Sequence, residues 1–597
     1  MRSPTPWLRL GPSAAAALRT APQAAPAPHA DAHFVVTAPT PVEAPRLAAL
    51  SLPAWRAAGV ELPDDPASSP DVVDVLAGNS LPPGASPVAH VYAGHQFGSF
   101  SGQLGDGAAM LLGTIAGDER PPMELQLKGA GLTPCSRSGD GRKVLRSSLR
   151  EMVASEAMAA LCVPTTRSGS LVISDTTVVR DINYDGRPAA EPAAVITRLA
   201  PSFFRFGSFE LCLPPDPRTL RSGPSHRSPH ILTELFDYVV ETHFAELAVH
   251  ETSRAARVAA WLDHVAASTG ALVAHWQALG FCHGVLNTDN MSIHGITLDY
   301  GPFAFMGAYD PEYACNASDP TGRYSYAAQP EVCAWNCIRL ANALDPLLPA
   351  DNGEDIVSNA FESAYSETLA SLARRKLGLA PTAPQQVALD AFESLRATMA
   401  ATAADYTATF RALGATYRAP NELAAHLAET TCASREFLLD RDAPTVPSHQ
   451  LDALLALPNV QLPPGLLNAE LRKRERRKLY AEAYATDDDK AKNDERVWYD
   501  FLTNTLAPLV AEHGLGDPAA RMLAMNAANP WIVPHNWMLE AAIRALEDNS
   551  DTAPLEALLG LDYFVESDEH RQACVASLGL ADSGRLRHLD TVPPRLS

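Results

Sequence analysis

CHGVLNTDNMSIHGITLDYG, residues 282–301, is the stretch on which the reading of this chain turns. Its middle, Met291 to Leu298, alternates apolar and polar residues around a break at Gly295, as a short hairpin does. His283, Asp289 and Asn290 lie before that hairpin, and Asp299-Tyr300-Gly301 follows it. The surrounding chain has 597 residues, 46% hydrophobic and 19% charged, which describes a globular protein with room for two to four domains' worth of core. A net charge of -22 argues against a nucleic-acid partner, which selects for a basic face. Nine scattered cysteines form no C-x-x-C pair, so neither a disulfide framework nor a zinc site is signalled, and a reducing compartment is the simplest setting. No run of about 18 apolar residues announces a membrane span.

The same twenty residues resemble a protein-kinase catalytic core whose central residue has been replaced. A kinase loop reads His-Arg-Asp-x-x-x-x-Asn and is followed by Asp-Phe-Gly; its Asn and second Asp hold metal on the ATP phosphates. His283 opens the loop, Asn290 falls at the Asn position, and Asp299-Tyr300-Gly301 takes the place of the triplet. The place of the catalytic Asp, however, is Val285. A valine accepts no proton, so ordinary phosphoryl transfer has lost its base while the metal ligands remain. Such a site still holds a metal-bound nucleotide, with its chemistry changed or lost.

Upstream, the order of elements is that of a kinase amino-terminal lobe. A glycine-rich turn, Gly102 to Gly107, leads into the apolar run Ala108 to Ile115, and Met123 to Lys128 then alternates at period two. Glycines there let backbone N–H groups approach phosphate. A helix is predicted over about 143–162, with Leu145, Leu149, Met152 and Val153 on one face. Glu151, 23 residues after Lys128, is the candidate ion-pair partner of that lysine, although a lone helix carboxylate is more often only solvated. Asp140-Gly141 before the helix reads as a turn and cap or as part of the site. Strands are expected at 170–179 and 193–199, with Arg198 and Arg205 as candidate phosphate contacts or packed surface arginines.

Residues 216–230 read as a loop, 231–248 and 253–279 as helices, and 302–330 occupy the place of an activation segment. The remainder is mainly helical, clearest at 381–414 and 464–485, and the basic run Arg472 to Arg477 reads as a solvated face. Residues 1 to about 45 are rich in Ala and Pro, with Arg2, Arg9 and Arg19 and no acid before Asp31. That composition suits a disordered tail or a mitochondrial transit peptide.

Taken together, these blocks resemble the selenoprotein O (YdiU-type) family of protein adenylyltransferases. The matching residues are His95-Gln96-Phe97-Gly98, Gln103 to Gly107, Leu127 to Gly131, Asp140 to Arg142, Pro164 to Arg167, and His283 to Phe303, with a looser match at Asn529-Pro530. The resemblance implies a kinase-like fold that binds ATP flipped and transfers AMP to Ser, Thr or Tyr hydroxyls of proteins, releasing pyrophosphate. It implies Asp289 as proton acceptor and Asn290 and Asp299 as Mg²⁺ or Mn²⁺ ligands. It implies Gly105, Gly107, Lys128, Asp140, Gly141, Arg198, Arg205 and Asp299 as the ATP-binding set, with Glu151 partnering Lys128. Two departures stand out: Ala108 occupies a position where members usually have Arg, and the chain lacks a cysteine at its extreme carboxyl end. Cys315 sits where members have a redox-responsive cysteine, so a Cys315–Cys574 disulfide is an expectation of the resemblance alone.

The expected fold is thus α+β: a protein-kinase-like bilobal body with a large helical C-terminal extension. Its expected parts are a disordered or leader segment at 1–45, an N-lobe at 46–210, and a C-lobe core with catalytic loop and activation segment at 211–330. A mainly helical region at 331–597 is expected to pack on the C-lobe. The expected function is protein AMPylation with ATP and Mg²⁺ or Mn²⁺, on protein substrates bearing hydroxyl side chains, with no nucleic acid and no membrane span. A silent ATP-binding pseudokinase scaffold and a conventional protein kinase are the alternatives. The expected compartment is a bacterial cytoplasm, or the mitochondrion if the leader is a transit peptide.

Overall fold

The computed structural model describes residues 7–115, 121–181, 186–251, 253–348, 352–414, 419–444, 446 and 464–564. It is a mixed α/β protein whose first half is built on a sheet and whose second half is helical. In chain order the first strands are β1 (Thr20–Ala21), β2 (Phe34–Val36), β3 (Arg46–Leu50), β4 (Val88–His90), β5 (Ala93–Gln96) and β6 (Ser99–Gln103). After these come β7 (Ala109–Ile115), β8 (Met123–Lys128), β9 (Lys143–Val144), β10 (Arg167–Arg180) and β11 (Ala189–Ala200). The main sheet runs β1-β2-β4-β7-β8-β11-β10-β3, with β9 added alongside β11. All its pairings are antiparallel except β1 with β2. Strands β5 and β6 form a separate hairpin.

The alternation read from the sequence becomes two packed faces. Leu111, Leu171, Ile173, Ala194 and Ile196 pack with Leu149, Met152 and Val153 of α3 (Leu145–Ala160), which follows α1 (Leu52–Ala57) and α2 (Pro70–Ala77) in the chain. The intervening residues Met110, Leu112, Val172, Val195 and Leu199 point the other way, onto Trp55 of α1 and Val72 and Leu76 of α2. Successive residues of a strand face opposite sides, so both faces of this sheet are covered and both are apolar. Strand β8 is the exception that matters. Leu125 and Leu127 join the α1–α2 side, while Glu124, Gln126 and Lys128, all buried, point toward α3. Three polar side chains inside a covered sheet need partners, and they organise the site.

Below the sheet, the 26-residue helix Arg254–Leu279 stops at Gly280, whose φ of +72° is the left-handed cap that glycine favours. Strand Phe281–Cys282 follows, pairing with Ala304–Phe305, and these two short strands frame the loop 283–303. The expected hairpin at 291–298 is reduced to a single antiparallel bridge, Met291 with Thr297, around Gly295 at φ +60°. The helical stretch expected at 381–414 is two helices, Gln385–Thr402 and Tyr406–Leu413. Ala403 turns left-handed between them, and the Asp405 side chain caps the second by accepting from Ala408 N at 2.7 Å. Among the described residues no helix is long and apolar enough to cross a membrane.

Three expectations need correction. From Trp7 onward the amino-terminal segment is packed: Leu8, Leu10, Leu18 and Phe34 are buried and β1 and β2 extend the sheet. Its Ala/Pro composition concealed a few well-spaced apolar anchors. The basic run is not simply solvated either: Arg476 pairs with Asp442 at 2.9 Å and with Asp310 at 3.3 Å. Finally, the helical region does not pack only on the lower half. Helix Asn536–Asn549 lies against α3, and Arg150 Nη1 donates to Asn536 Oδ1 at 2.9 Å. Cys574 lies outside the described residues.

Candidate active site

Two carboxylates on the loop 283–303 define the site, Asp289 buried and Asp299 partly exposed, and they live in opposite surroundings. Asp299 Oδ1 accepts from Lys128 Nζ and from Tyr300 N, the latter at 3.1 Å. Lys128 also donates to Glu151 Oε2 at 2.6 Å, joining β8 to α3, and Arg198 Nε lies 3.2 Å from Glu151 Oε1. Arg198 is fixed in turn by Gln126 Oε1 at 3.1 Å and by the Leu298 carbonyl. Burial raises the Asp299 carboxyl, but Lys128, Arg198 and Lys143 outweigh it and hold the group well below the usual carboxylate range. These three cations favour the ionised form of Asp299.

Asp289 sits on the single 3₁₀ turn Thr288–Asn290 and is 9% exposed. Its backbone carbonyl accepts from Arg205 Nη1 at 2.9 Å, and Oδ2 accepts from Gln96 Nε2 at 3.3 Å. Oδ1 is buried without a hydrogen-bond partner among the described residues. Here burial prevails: despite Arg205 and Gln96, the carboxyl is pushed up to about 6. Beside it, Asn290 Nδ2 donates to Val285 O at 3.0 Å, so the amide oxygen is the end left for a ligand. Thus Val285, where a kinase has its base, contributes a backbone carbonyl that orients the neighbouring asparagine.

The other sequence candidates divide. The structure brings Lys128, Glu151, Arg198 and Asp299 into one ion-pair cluster, and Arg205 into contact with Asp289. Arg198 and Arg205, expected as phosphate contacts or packed surface arginines, are enclosed by protein. They are 3% and 5% exposed, and their Nη atoms are engaged by protein acceptors, Arg205 also by Asp106 at 3.3 Å and by the face of Tyr92 at 4.3 Å. Both support other site residues. Gly105 has φ +99°, and a Cβ built on it would lie 2.6 Å from Cys135 Sγ; one on Gly107 would lie 3.1 Å from Cys135 O. These glycines let the turn close on residues 133–136, where Thr133 Oγ1 donates to Asp106 O at 2.6 Å. Asp140 forms a two-pronged pair with the Arg180 guanidinium at 2.8 Å, and Gly141 turns left-handed against Gly131 O.

Sequence reasoning missed Lys143, Tyr92, Asp106 and the part played by Gln96. Lys143 follows Asp140-Gly141-Arg142 on β9; burial and the neighbouring Lys128 lower its pKa, and it has no hydrogen-bond or ion-pair partner among the described residues. The signal that could have found it was its place directly after that motif. Cys315 is buried beside the Cys282 and Pro302 carbonyls, and burial raises its thiol well above the ordinary range.

A buried Lys–Glu pair, an ionised aspartate and a second aspartate with an open oxygen are the furniture of a nucleotide-dependent transferase. Comparison with known proteins gives the same class. A family profile described as Protein adenylyltransferase SelO matches residues 48–561. The human mitochondrial protein adenylyltransferase SelO is 42% identical over 596 residues, covering 96% of this chain and 87% of the relative. The mouse protein of the same name is 42% identical over 568 residues, covering 92% and 84%. The protein nucleotidyltransferase YdiU of Herminiimonas arsenicoxydans is 37% identical over 549 residues, covering 91% and 92%. This chain belongs to the SelO family of protein adenylyltransferases.

Proposed function

We propose that this chain transfers AMP from ATP to Ser, Thr or Tyr hydroxyls of other proteins and releases pyrophosphate, working as a kinase-like body with an inverted nucleotide. The sheet with α3 and the loop 283–303 are read as the facing parts of its two lobes. One observation carries the reading: Asp289 is buried with Oδ1 unpaired among the described residues, in surroundings that push its carboxyl up to about 6, on the same loop as an Asp299 held well below the carboxylate range. A general base works best with a pKa near the operating pH. In the proposed step Asp289 accepts the hydroxyl proton, the acceptor oxygen bonds to the α-phosphorus, and the bond from that phosphorus to the β-phosphate bridging oxygen breaks. Pyrophosphate carries the electron pair away.

A divalent cation fits the residues present. Among the described residues no hydrogen bond engages Asp299 Oδ2, while Oδ1 meets Lys128, and none engages the Asn290 amide oxygen, while its nitrogen donates to Val285 O. Two hard oxygens with phosphate oxygens and water suit Mg²⁺ or Mn²⁺, which seldom occupy an all-protein cage. When bound, the ion neutralises charge on the phosphates and the departing pyrophosphate. Lys128 and Lys143 are assigned to the phosphates and Glu151 to holding Lys128. Arg198 and Arg205 keep Glu151 and Asp289 in place, and the turn 105–107 and Asp140-Gly141 border the nucleotide.

Incubation with α-³²P-ATP and, separately, γ-³²P-ATP tests the proposal. Protein labelled from the α position only is the expected result. Label from γ only makes the chain a conventional kinase, and label from neither makes it an ATP-binding scaffold.

A further inference from the structure

The motif His95-Gln96-Phe97-Gly98 marks the resemblance to the family, yet the ion-pair cluster and the mechanism above leave it without work. In the structure it forms the tip of the β5–β6 hairpin, which is seated on the loop carrying Asp289. His95 N donates to Thr288 Oγ1 at 2.7 Å, and Phe97 N is shared between Tyr324 OH at 2.8 Å and Asn287 Oδ1 at 3.2 Å. Glu210 clamps the same junction, with Oε1 on His95 Nδ1 and Oε2 accepting from Thr288 Oγ1, both at 2.8 Å. The residues on either side of Gln96 are therefore bonded to the two residues just before Asp289. Phe97 holds a φ of +50°, which a bulky residue adopts only when its surroundings impose it.

We infer that Gln96 is a positioning residue whose amide occupies Asp289 Oδ2 and thereby turns Oδ1 toward the acceptor hydroxyl. The inference rests on the adenylyltransferase reading given above. Two observations bear on it from different sides. Gln96 Nε2 meets Oδ2 at 3.3 Å, while Oδ1 is buried and unpaired. On the same hairpin, Gly94 sets no side chain against Oδ1: a Cβ there would lie 3.3 Å from it and 2.9 Å from Leu104 Cδ1. One residue engages one oxygen, and its neighbour puts no side chain on the other. A carboxylate on a short turn can otherwise rotate about its last bond, and a base that presents the wrong lone pair loses the alignment that proton transfer requires. Hydrogen bonds of this kind are long before substrate arrives and shorten in the reacting complex.

The test uses the full chain, α-³²P-ATP and self-labelling as the readout, with ATP varied. Gln96→Met keeps the length of the side chain and removes the donor; Gln96→Glu places a second acceptor against Oδ2. The expected result for Gln96→Met is a fall of about 10- to 100-fold in rate at saturating ATP. Its KM for ATP and its Tm stay at the wild-type values, and Gln96→Glu falls at least as far. A wild-type rate in Gln96→Met overturns the inference. So does a loss of ATP affinity and Tm parallel to the loss of rate, which would mean that Gln96 only packs the hairpin. Asp289→Asn in the same assay separates this inference from its basis. If Asp289→Asn turns over normally, or the wild type takes no label from the α position, the adenylyltransferase mechanism itself fails. If Asp289→Asn is silent and Gln96→Met is unimpaired, only the role of Gln96 fails.

Discussion

Asp299 and Asp289 stand ten residues apart on one loop, the first partly exposed and the second buried, and they have been given opposite characters. Around Asp299 the chain gathers Lys128, Arg198 and Lys143, and their charge overrides the cost of burial. Around Asp289 it supplies one amide and one arginine directed mainly at the backbone, and the cost of burial wins. The first carboxylate stays ionised at ordinary pH, which suits the cation ligand proposed for it and not a proton acceptor. The second exchanges its proton near neutrality. In the proposed function two equal side chains thus take the parts of ligand and base through what their neighbours donate, the general way in which one site divides acid–base labour.

The largest expected effect comes from removing the base. Asp289→Asn should lower AMP transfer by about 100- to 10,000-fold, the usual worth of general-base catalysis, with ATP binding retained by equilibrium titration. Asparagine keeps the shape and the contact with Gln96 but accepts no proton, so a variant that still turns over would break the comparison. A middle-sized effect should appear in the acid limb of the rate profile. Because the Asp289 carboxyl is raised to about 6, its working form is complete above that pH and lost below it. The rate should then fall about tenfold for each unit of pH below the midpoint, while the Asp299 side, held ionised throughout, contributes no step in this range. A limb centred near the ordinary aspartate value would show that Asp289 is not as dry in solution. The smallest effect sharpens the cationic side. Lys143→Ala should raise the KM for ATP about tenfold, the scale of one charge-assisted phosphate contact, with kcat little changed. Steady-state kinetics on the purified variant check it, and an unaltered KM would leave Lys128 as the sole ammonium on the nucleotide.

How much of this was legible beforehand depends on distance along the chain. Strand β8, helix α3 and the Lys128–Glu151 spacing could be read because period-two and period-3.6 patterns are local. The pair itself was weak as a sequence signal, since a lone helix glutamate is usually solvated, and only tertiary packing brings the two side chains to 2.6 Å. Asn290 and Asp299 were legible as a motif. The setting of the Arg205 guanidinium was illegible because a sequence shows the charge but not that Asp106, Tyr92 and a backbone carbonyl enclose it. Gln96 was illegible as a partner of Asp289, 193 residues away. The amino-terminal strands were hidden by an Ala/Pro composition that mimics disorder, although Phe34 lies in the core.

Arg150 precedes Glu151 on α3; its side chain donates to the Phe303 carbonyl at 2.8 Å and to Asn536 at 2.9 Å. The helix that carries the partner of Lys128 is therefore anchored by a residue 386 positions later. During synthesis the sheet can assemble as soon as its strands emerge, but α3 acquires this last tether only when nearly the whole polypeptide has left the ribosome. The growing chain would carry an unfinished nucleotide site for most of its translation, and adenylation competence would arrive late.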